Sequence, residues 1–309
     1  MEISTNRLNA EIALAEHSER AEGRRVADKN GAGFAIAARS VVGLVRPGNE
    51  DSALLHPYLI AVADGMGGHA GGEVASALAV KTLAELAPVL EHGDIDNDSI
   101  EDLLLSTLQD IDSEIGRVAS ANIDLTGMGT TLSTLMMYGG DSDKKVALLH
   151  VGDSRCYRLR GNTLMQISHD HTVLQELLDQ GSISSEEAHE HPQRAFLTQA
   201  LMGEGPLTPV LMIYQVNPKD RFLLCSDGLS GVLSEKEIKT GMKIRDREEA
   251  LRFLVDATYS AGAPDNVTVI LADIDREKAE RFPITFLGAI NDQIEDQIVD
   301  KELEEEVGQ

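Results

Sequence analysis

The chain has 309 residues, with 52 acidic against 27 basic side chains and a formal net charge of -25. Such an acid excess excludes non-specific nucleic-acid binding and adhesion to anionic membrane surfaces. Apolar residues make up 42% of the chain, yet aromatics are only 4% and tryptophan is absent, so Ala, Val, Leu and Ile must fill the core. Cys156 and Cys225 each lie inside an apolar run and read as buried free thiols of a reducing compartment, not as a disulfide framework. No apolar run reaches the length of a membrane span and the N-terminus lacks a signal-peptide core, so a cytoplasmic location is expected.

Residues 1–32 carry scattered charges of both signs and read as an N-terminal extension. Phe34 to Leu44 and Ser52 to Leu55 are predicted strands. Between them Pro47-Gly48 marks a turn that sets Arg46 and the Asn49-Glu50-Asp51 trio on one loop. The apolar run Leu59 to Ala63 is a third strand, ending abruptly in Asp64-Gly65. Gly65, Gly67, Gly68, Gly71 and Gly72 then give a stretch whose carbonyls and amides can approach a ligand closely. A helix follows with Val74, Leu78, Leu83, Leu86 and Leu90 mostly on one face. A second helix, opened by a Ser99/Asp102 capping box, carries the stripe Ile100, Leu104, Thr107, Leu108, Ile111, Ile115 and Val118.

Thr130 to Tyr138 and Lys145 to Leu159 are predicted strands, the second interrupted by Gly152-Asp153-Ser154-Arg155. Thr163 to Ile167 pairs back through the Arg160-Gly161-Asn162 turn. From 168 to 206 the pattern is mixed, with a helix near Thr172 to Asp179. Arg221 to Cys225 is a strand ending in Ser226-Asp227-Gly228, Arg247 to Ser260 a helix, and Asp265-Asn266 opens the strand Val267 to Ile274. Strands outnumber helices, and the long helices follow one group of strands. That order favours antiparallel sheets with helices packed outside them. The main domain is read as 33–275 and the strongly acidic 276–309 as a tail. There Ile290, Ile294 and Ile298 recur every four residues, a pattern open to either a docking segment or a solvated one.

Asp64-Gly65, Asp227-Gly228 and Asp265-Asn266 share one grammar, an acidic turn at the edge of an apolar strand, and Glu50-Asp51 precedes another strand. Any one of these is an ordinary turn aspartate. Together they suit a hard cation such as Mg2+ or Mn2+, which takes carboxylate, carbonyl and water oxygens. No His/Cys cluster has the spacing of a zinc site.

Arg46-Pro-Gly-Asn-Glu-Asp51, Asp64-Gly-Met-Gly-Gly-His-Ala-Gly-Gly-Glu73, Gly129-Thr-Thr131, Gly152-Asp-Ser-Arg155, Ser226-Asp-Gly228 and Pro264-Asp-Asn-Val-Thr268 occur in that order. This series resembles the bacterial branch of the metal-dependent protein phosphatases, the type 2C family, over about Gly33 to Ile274. The resemblance implies an α+β fold, a four-layer α-β-β-α sandwich in which two antiparallel sheets are flanked by helix pairs. It also implies a binuclear Mg2+/Mn2+ centre and hydrolysis of phosphoserine and phosphothreonine in proteins, opposing a protein kinase in signalling. By motif, Asp64 would bridge the metals, the Gly65 carbonyl would bind one, and Asp227 and Asp265 would hold one. Glu50 would act on the other, Asp51 would orient water, and Arg46 would grip phosphate through its planar fork.

His69 is the candidate proton donor to the leaving serine oxygen, with an exposed loop histidine as the alternative. Asp153 is kept out of the metal shell, because in the family its motif is structural. Residues 168–202, with His169, His171, His189 and His191, resemble the family's mobile flap, where solvated loop histidines are expected. Bacterial members often hold a third, weaker metal. Here Thr126 and Gly231 stand where relatives carry acids and Asp124 is displaced by two positions, so a weak third ion that still uses Asp227 is expected. The expected protein is a monomeric enzyme acting on phosphoproteins. The competing reading is a catalytically silent phosphopeptide-binding or regulatory module on the same fold.

Overall fold

The third strand of the chain, β3 (Leu59–Met66), is apolar at each of its first five positions, and its pleat divides them between two faces. Leu59, Ala61 and Ala63 join one core, Ile60 and Val62 another. A strand buried on both faces needs a layer on each side, and the architecture follows from that need. The computed structural model describes residues 33–67, 71–92, 99–139, 143–184, 187, 196–275 and 282–293. Besides β3 its strands are β1 (Gly33–Val41), β2 (Asp51–His56), β4 (Gly129–Thr130), β5 (Leu132–Tyr138), β6 (Lys145–Val151), β7 (Arg155–Arg160), β8 (Thr163–Gln166), β9 (Val210–Gln215), β10 (Arg221–Cys225), β11 (Val267–Asp275) and β12 (Thr285–Gly288).

One sheet runs β1-β11-β10-β7-β8 and the other β12-β2-β3-β5-β6-β9, with β4 paired to β3. Adjacent strands are antiparallel throughout. Between the sheets lie Phe34, Ile60, Val62, Phe222, Leu224 and Ile270. Outside the larger sheet, α1 (Gly71–Ala84), α2 (Ala87–His92) and α3 (Ile100–Ala121) bury Val80, Leu83, Leu104, Leu108 and Ile111. Outside the smaller sheet, α6 (Glu235–Met242) and α7 (Arg247–Ser260) bury Ile238, Leu251, Leu254 and Val255 against Leu223 and Leu271. The result is the α-β-β-α sandwich. Two short helices, α4 (Val173–Asp179) and α5 (Asp227–Ser230), lie in the connections. Among the described residues no helix is long and apolar enough to cross a membrane.

Several local expectations differ from the structure. Lys145 to Leu159 is not one interrupted strand: β6 and β7 belong to different sheets, and Gly152, at φ 104°, makes the crossing. The helix expected through Leu90 breaks at Glu85-Leu86, just before Pro88, and resumes as α2. Ser99 makes no side-chain cap to α3. Its backbone is already right-handed, at φ -96° and ψ -5°, whereas a capping serine is normally extended. The capping box instead opens α6, between Ser234 and Glu237. The sandwich also runs past the expected boundary at 275. β12 pairs antiparallel with β2, and Leu287 and Ile290 are buried. Four strand residues inside an acidic stretch carry no alternation by which the sequence would mark a strand.

Candidate metal centre

Antiparallel pairing brings distant acids to one end of the sandwich. Asp51, the first residue of β2, stands opposite Asp64 near the end of β3. Asp227 follows β10 after Ser226 and starts α5, while Asp265 precedes β11, the partner of β10. The two sheets meet here through Ser226, whose Oγ donates to Asp51 Oδ2 at 2.8 Å. Asp51 is 1% exposed, and its other oxygen, Oδ1, has no hydrogen-bond partner among the described residues.

The backbone around these acids is held by side chains from both sheets. Asp64 N–H donates to Thr131 Oγ1 at 3.0 Å, and its carbonyl accepts from Thr130 Oγ1 at 3.0 Å and from Thr131 N–H at 2.9 Å. The Glu50 carbonyl accepts from Gly65 N–H at 3.2 Å and from Ser76 Oγ at 2.6 Å. Asn266 fastens the loop bearing Arg46 and Glu50. Its Oδ1 accepts from Glu50 N–H at 2.8 Å, and its Nδ2 donates to the carbonyls of Val42 and Gly48 at 2.9 and 2.8 Å. Gly65 must be glycine for packing: a Cβ there would overlap the carbonyl of Gly72 in α1.

Crowding governs the electrostatics. Burial, then the charges of Asp51 and Asp227, raise the Asp64 carboxyl well above its ordinary range. Burial raises Asp51 to about 7 against the pull of the Thr268 and Ser226 hydroxyls. Burial and the neighbouring Asp265 raise Asp227, which lies within hydrogen-bonding reach of Asp64. Glu50 is raised by burial and partly offset by Arg46. Arg46 donates from Nη2 to Asp265 Oδ2 at 2.7 Å, with side-chain exposures of 48% and 32%. Among the described residues no three His, Cys, Asp or Glu side chains are arranged around a single point, and Asp265 is turned to Arg46. The donor set nonetheless fits a hard cation: buried carboxylates repelling one another and an unpartnered carboxylate oxygen are what such an ion satisfies.

Arg46, Glu50, Asp51, Asp64, Gly65, Asp227 and Asp265 thus come together. His69, His189 and His191 lie outside the described residues. Asp124 sits exposed on the turn Ile123–Leu125. His171 is not a solvated loop residue. It is buried, accepts from Gly152 N–H at 3.0 Å and stacks on His150 at 5.3 Å, whereas His169 is exposed and pairs with Asp179. Asp153 lies close enough to Asp227 that burial and this neighbour raise it to about 7. In the sequence Asn266 and Ser226 are only members of their motifs, with no local signal of a structural role. The loop-fastening and sheet-bridging they perform depend on pairings across 216 and 175 residues. Cys156 and Cys225 are buried and free.

Residues 51–272 match the family model described as Protein phosphatase 2C. The chain belongs to the protein phosphatase 2C family. It is 41% identical over 256 residues to the serine/threonine protein phosphatase PstP of Mycobacterium tuberculosis, covering 82% of this chain and 48% of PstP. The chain therefore spans about half the length of that curated relative. It is 36% identical to the serine/threonine phosphatase stp of Listeria monocytogenes, over 75% of this chain and 93% of stp. Among solved structures of the family, M. tuberculosis PstP/Ppp matches with a TM-score of 0.72 at 41% identity, covering 78% of this chain and 98% of that one. The PstP catalytic domain in complex with two manganese ions matches with a TM-score of 0.70 at 40% identity, covering 79% and 99%.

Proposed function

We propose that this chain is a metal-dependent serine/threonine protein phosphatase that hydrolyses phosphoserine and phosphothreonine in proteins, opposing a protein kinase in signalling. The observation that carries the reading is the convergence of buried Asp51 with half-buried Asp64 and Asp227 at one end of the sandwich, beside a half-exposed arginine. Asp64, the Gly65 carbonyl, Glu50, Asp227 and Asp265 would hold two Mg2+ or Mn2+ ions, as two manganese ions are held by the PstP catalytic domain. The ions would supply Lewis acidity and lower the pKa of water toward neutrality. Asp265 would serve such an ion in place of its present partner Arg46, whose half-exposed guanidinium fork would then be open to two oxygens of a phosphate dianion. Asp51, fixed by Ser226, presents its unpartnered oxygen to orient the attacking water. His69 is the proposed donor of a proton to the leaving serine or threonine oxygen. A third, weaker ion would still use Asp227.

The proposed enzyme is a cytoplasmic monomer with phosphoprotein substrates. The test is Mn2+-dependent release of phosphate from a phosphothreonine peptide, with Asp64→Asn as the control. Turnover that survives both chelation and that substitution would overturn the reading.

A further inference from the structure

Strand β12 lies beyond the 51–272 stretch covered by the family model, yet it is built against the acidic end of β2. Gly288 pairs with Ser52, the residue after Asp51. Its φ is 82°, and a Cβ there would overlap the Asp51 carbonyl oxygen and stand 2.9 Å from Ser40 Oγ, so glycine is needed on both counts. Just beyond, Ile290 N–H donates to Ser52 Oγ at 3.2 Å. Ser52 Oγ lies 3.0 Å from Ser76 Oγ, and Ser76 Oγ donates to the Glu50 carbonyl at 2.6 Å.

Each hydroxyl has one proton. Ser76 turns its proton to backbone carbonyls, that of Glu50 at 2.6 Å ahead of that of Glu73 at 3.3 Å, so Ser52 donates to Ser76 and accepts from Ile290. The direction of the relay is therefore fixed, from Ile290 through Ser52 and Ser76 to the Glu50 carbonyl, which also takes the Gly65 N–H. Ser52 and Ser76 are 0% exposed and Ile290 is 1% exposed, so water cannot stand in for a missing link.

We propose that β12 and the Ser52–Ser76 relay form a positioning device for the Glu50–Gly65 backbone, making residues 285–290 part of the working site. The inference rests on the reading of Glu50 and Gly65 as metal donors. Ser52, Ser76 and Ile290 are positioning residues: they act through the backbone that carries the donors. Groups behind a metal ligand fix its orientation, and their loss typically weakens metal binding by about 10- to 100-fold.

The test uses the full chain and calorimetric Mn2+ titration at a temperature where every variant is folded, alongside melting in EDTA. Ser52→Ala should bind Mn2+ about tenfold more weakly than wild type, and Gly288→Val, which drives β12 off β2, more weakly still. Leu254→Ala, in the core behind the opposite sheet, should lower the melting temperature and leave Mn2+ affinity within about twofold, since distant sites act independently. If Gly288→Val fails to fold, Ser52→Ala carries the test. Wild-type uptake of Mn2+ with unchanged affinity in Ser52→Ala, or equal weakening in Leu254→Ala, overturns the inference alone. Wild type that takes up no Mn2+ overturns the metal reading and the inference with it.

Discussion

The two sides of the acidic cluster are built on opposite plans. On the side of the larger sheet, Asp51 and Asp64 sit in paired strands, and backbone bonds and buried hydroxyls fix the chain around them. On the other side, Arg46 and Asp265 come from loops, are partly exposed, and hold each other. The difference teaches a division of labour. The rigid side concentrates repelling charge at the cost of stability, and the open side keeps partners that can be exchanged.

Asp64→Asn attacks the rigid side and should have the largest effect. Mn2+-dependent kcat should fall on the order of 10³-fold, as when a principal electrostatic group is removed from an active site. In EDTA the same variant should melt at a higher temperature, because one member of a repelling buried group is neutralised. A melting temperature that fell would mean that the acids are not in conflict.

Arg46→Ala attacks the open side. Its kcat/KM on a phosphothreonine peptide should drop about 100-fold, and Arg46→Lys should recover little, because an ammonium cannot offer the planar fork. Mn2+ affinity measured by calorimetry should hold or rise, since Asp265 loses its competing partner. Weaker Mn2+ binding would erase the contrast between the two sides. Asn266→Ala tests the fastening between them. The carbonyls of Val42 and Gly48 lose their side-chain donor and Glu50 N–H its acceptor. The expected loss is about 1–3 kcal/mol in denaturant unfolding, with about tenfold in kcat/KM.

The smallest effect is in pH. Asp51 ionises near pH 7 in the folded chain against an ordinary value of 3.8. The folded state therefore binds the extra proton, so its contribution to stability is fully present below about pH 4 and is lost as pH rises through about 7. In EDTA the Asp51→Asn variant should lose less melting temperature than wild type between pH 5 and 8, and saturating Mn2+ should reduce the wild-type loss. Parallel profiles for the two proteins in EDTA would remove Asp51 from the account.

The acids of the cluster were legible in the sequence because each is a local event, an aspartate at or beside the end of an apolar strand. The layering was legible as well, since runs such as Ile60 to Ala63 demand cover on both faces. What joins the parts was not. Ser52 and Ser76 look like any small residues in a strand and a helix, and they matter only because β2 and α1 meet. Gly152 read as an interruption within a strand, although it carries the chain from one sheet to the other. Strand β9, Val-Leu-Met-Ile-Tyr-Gln, is a short apolar run without alternation, which periodicity alone does not separate from a helical segment.

The bond from Ser226 to Asp51 crosses from the smaller sheet to the larger. The distance it spans is set by the bulk of Ile60, Val62, Phe222 and Leu224 between the sheets. The acidic cluster is therefore a gauge of the sandwich's thickness. A methyl group gained or lost in that greasy interior should be felt first as a misfit between two halves of a polar site, and the chemistry inherits the tolerances of the hydrocarbon that separates them.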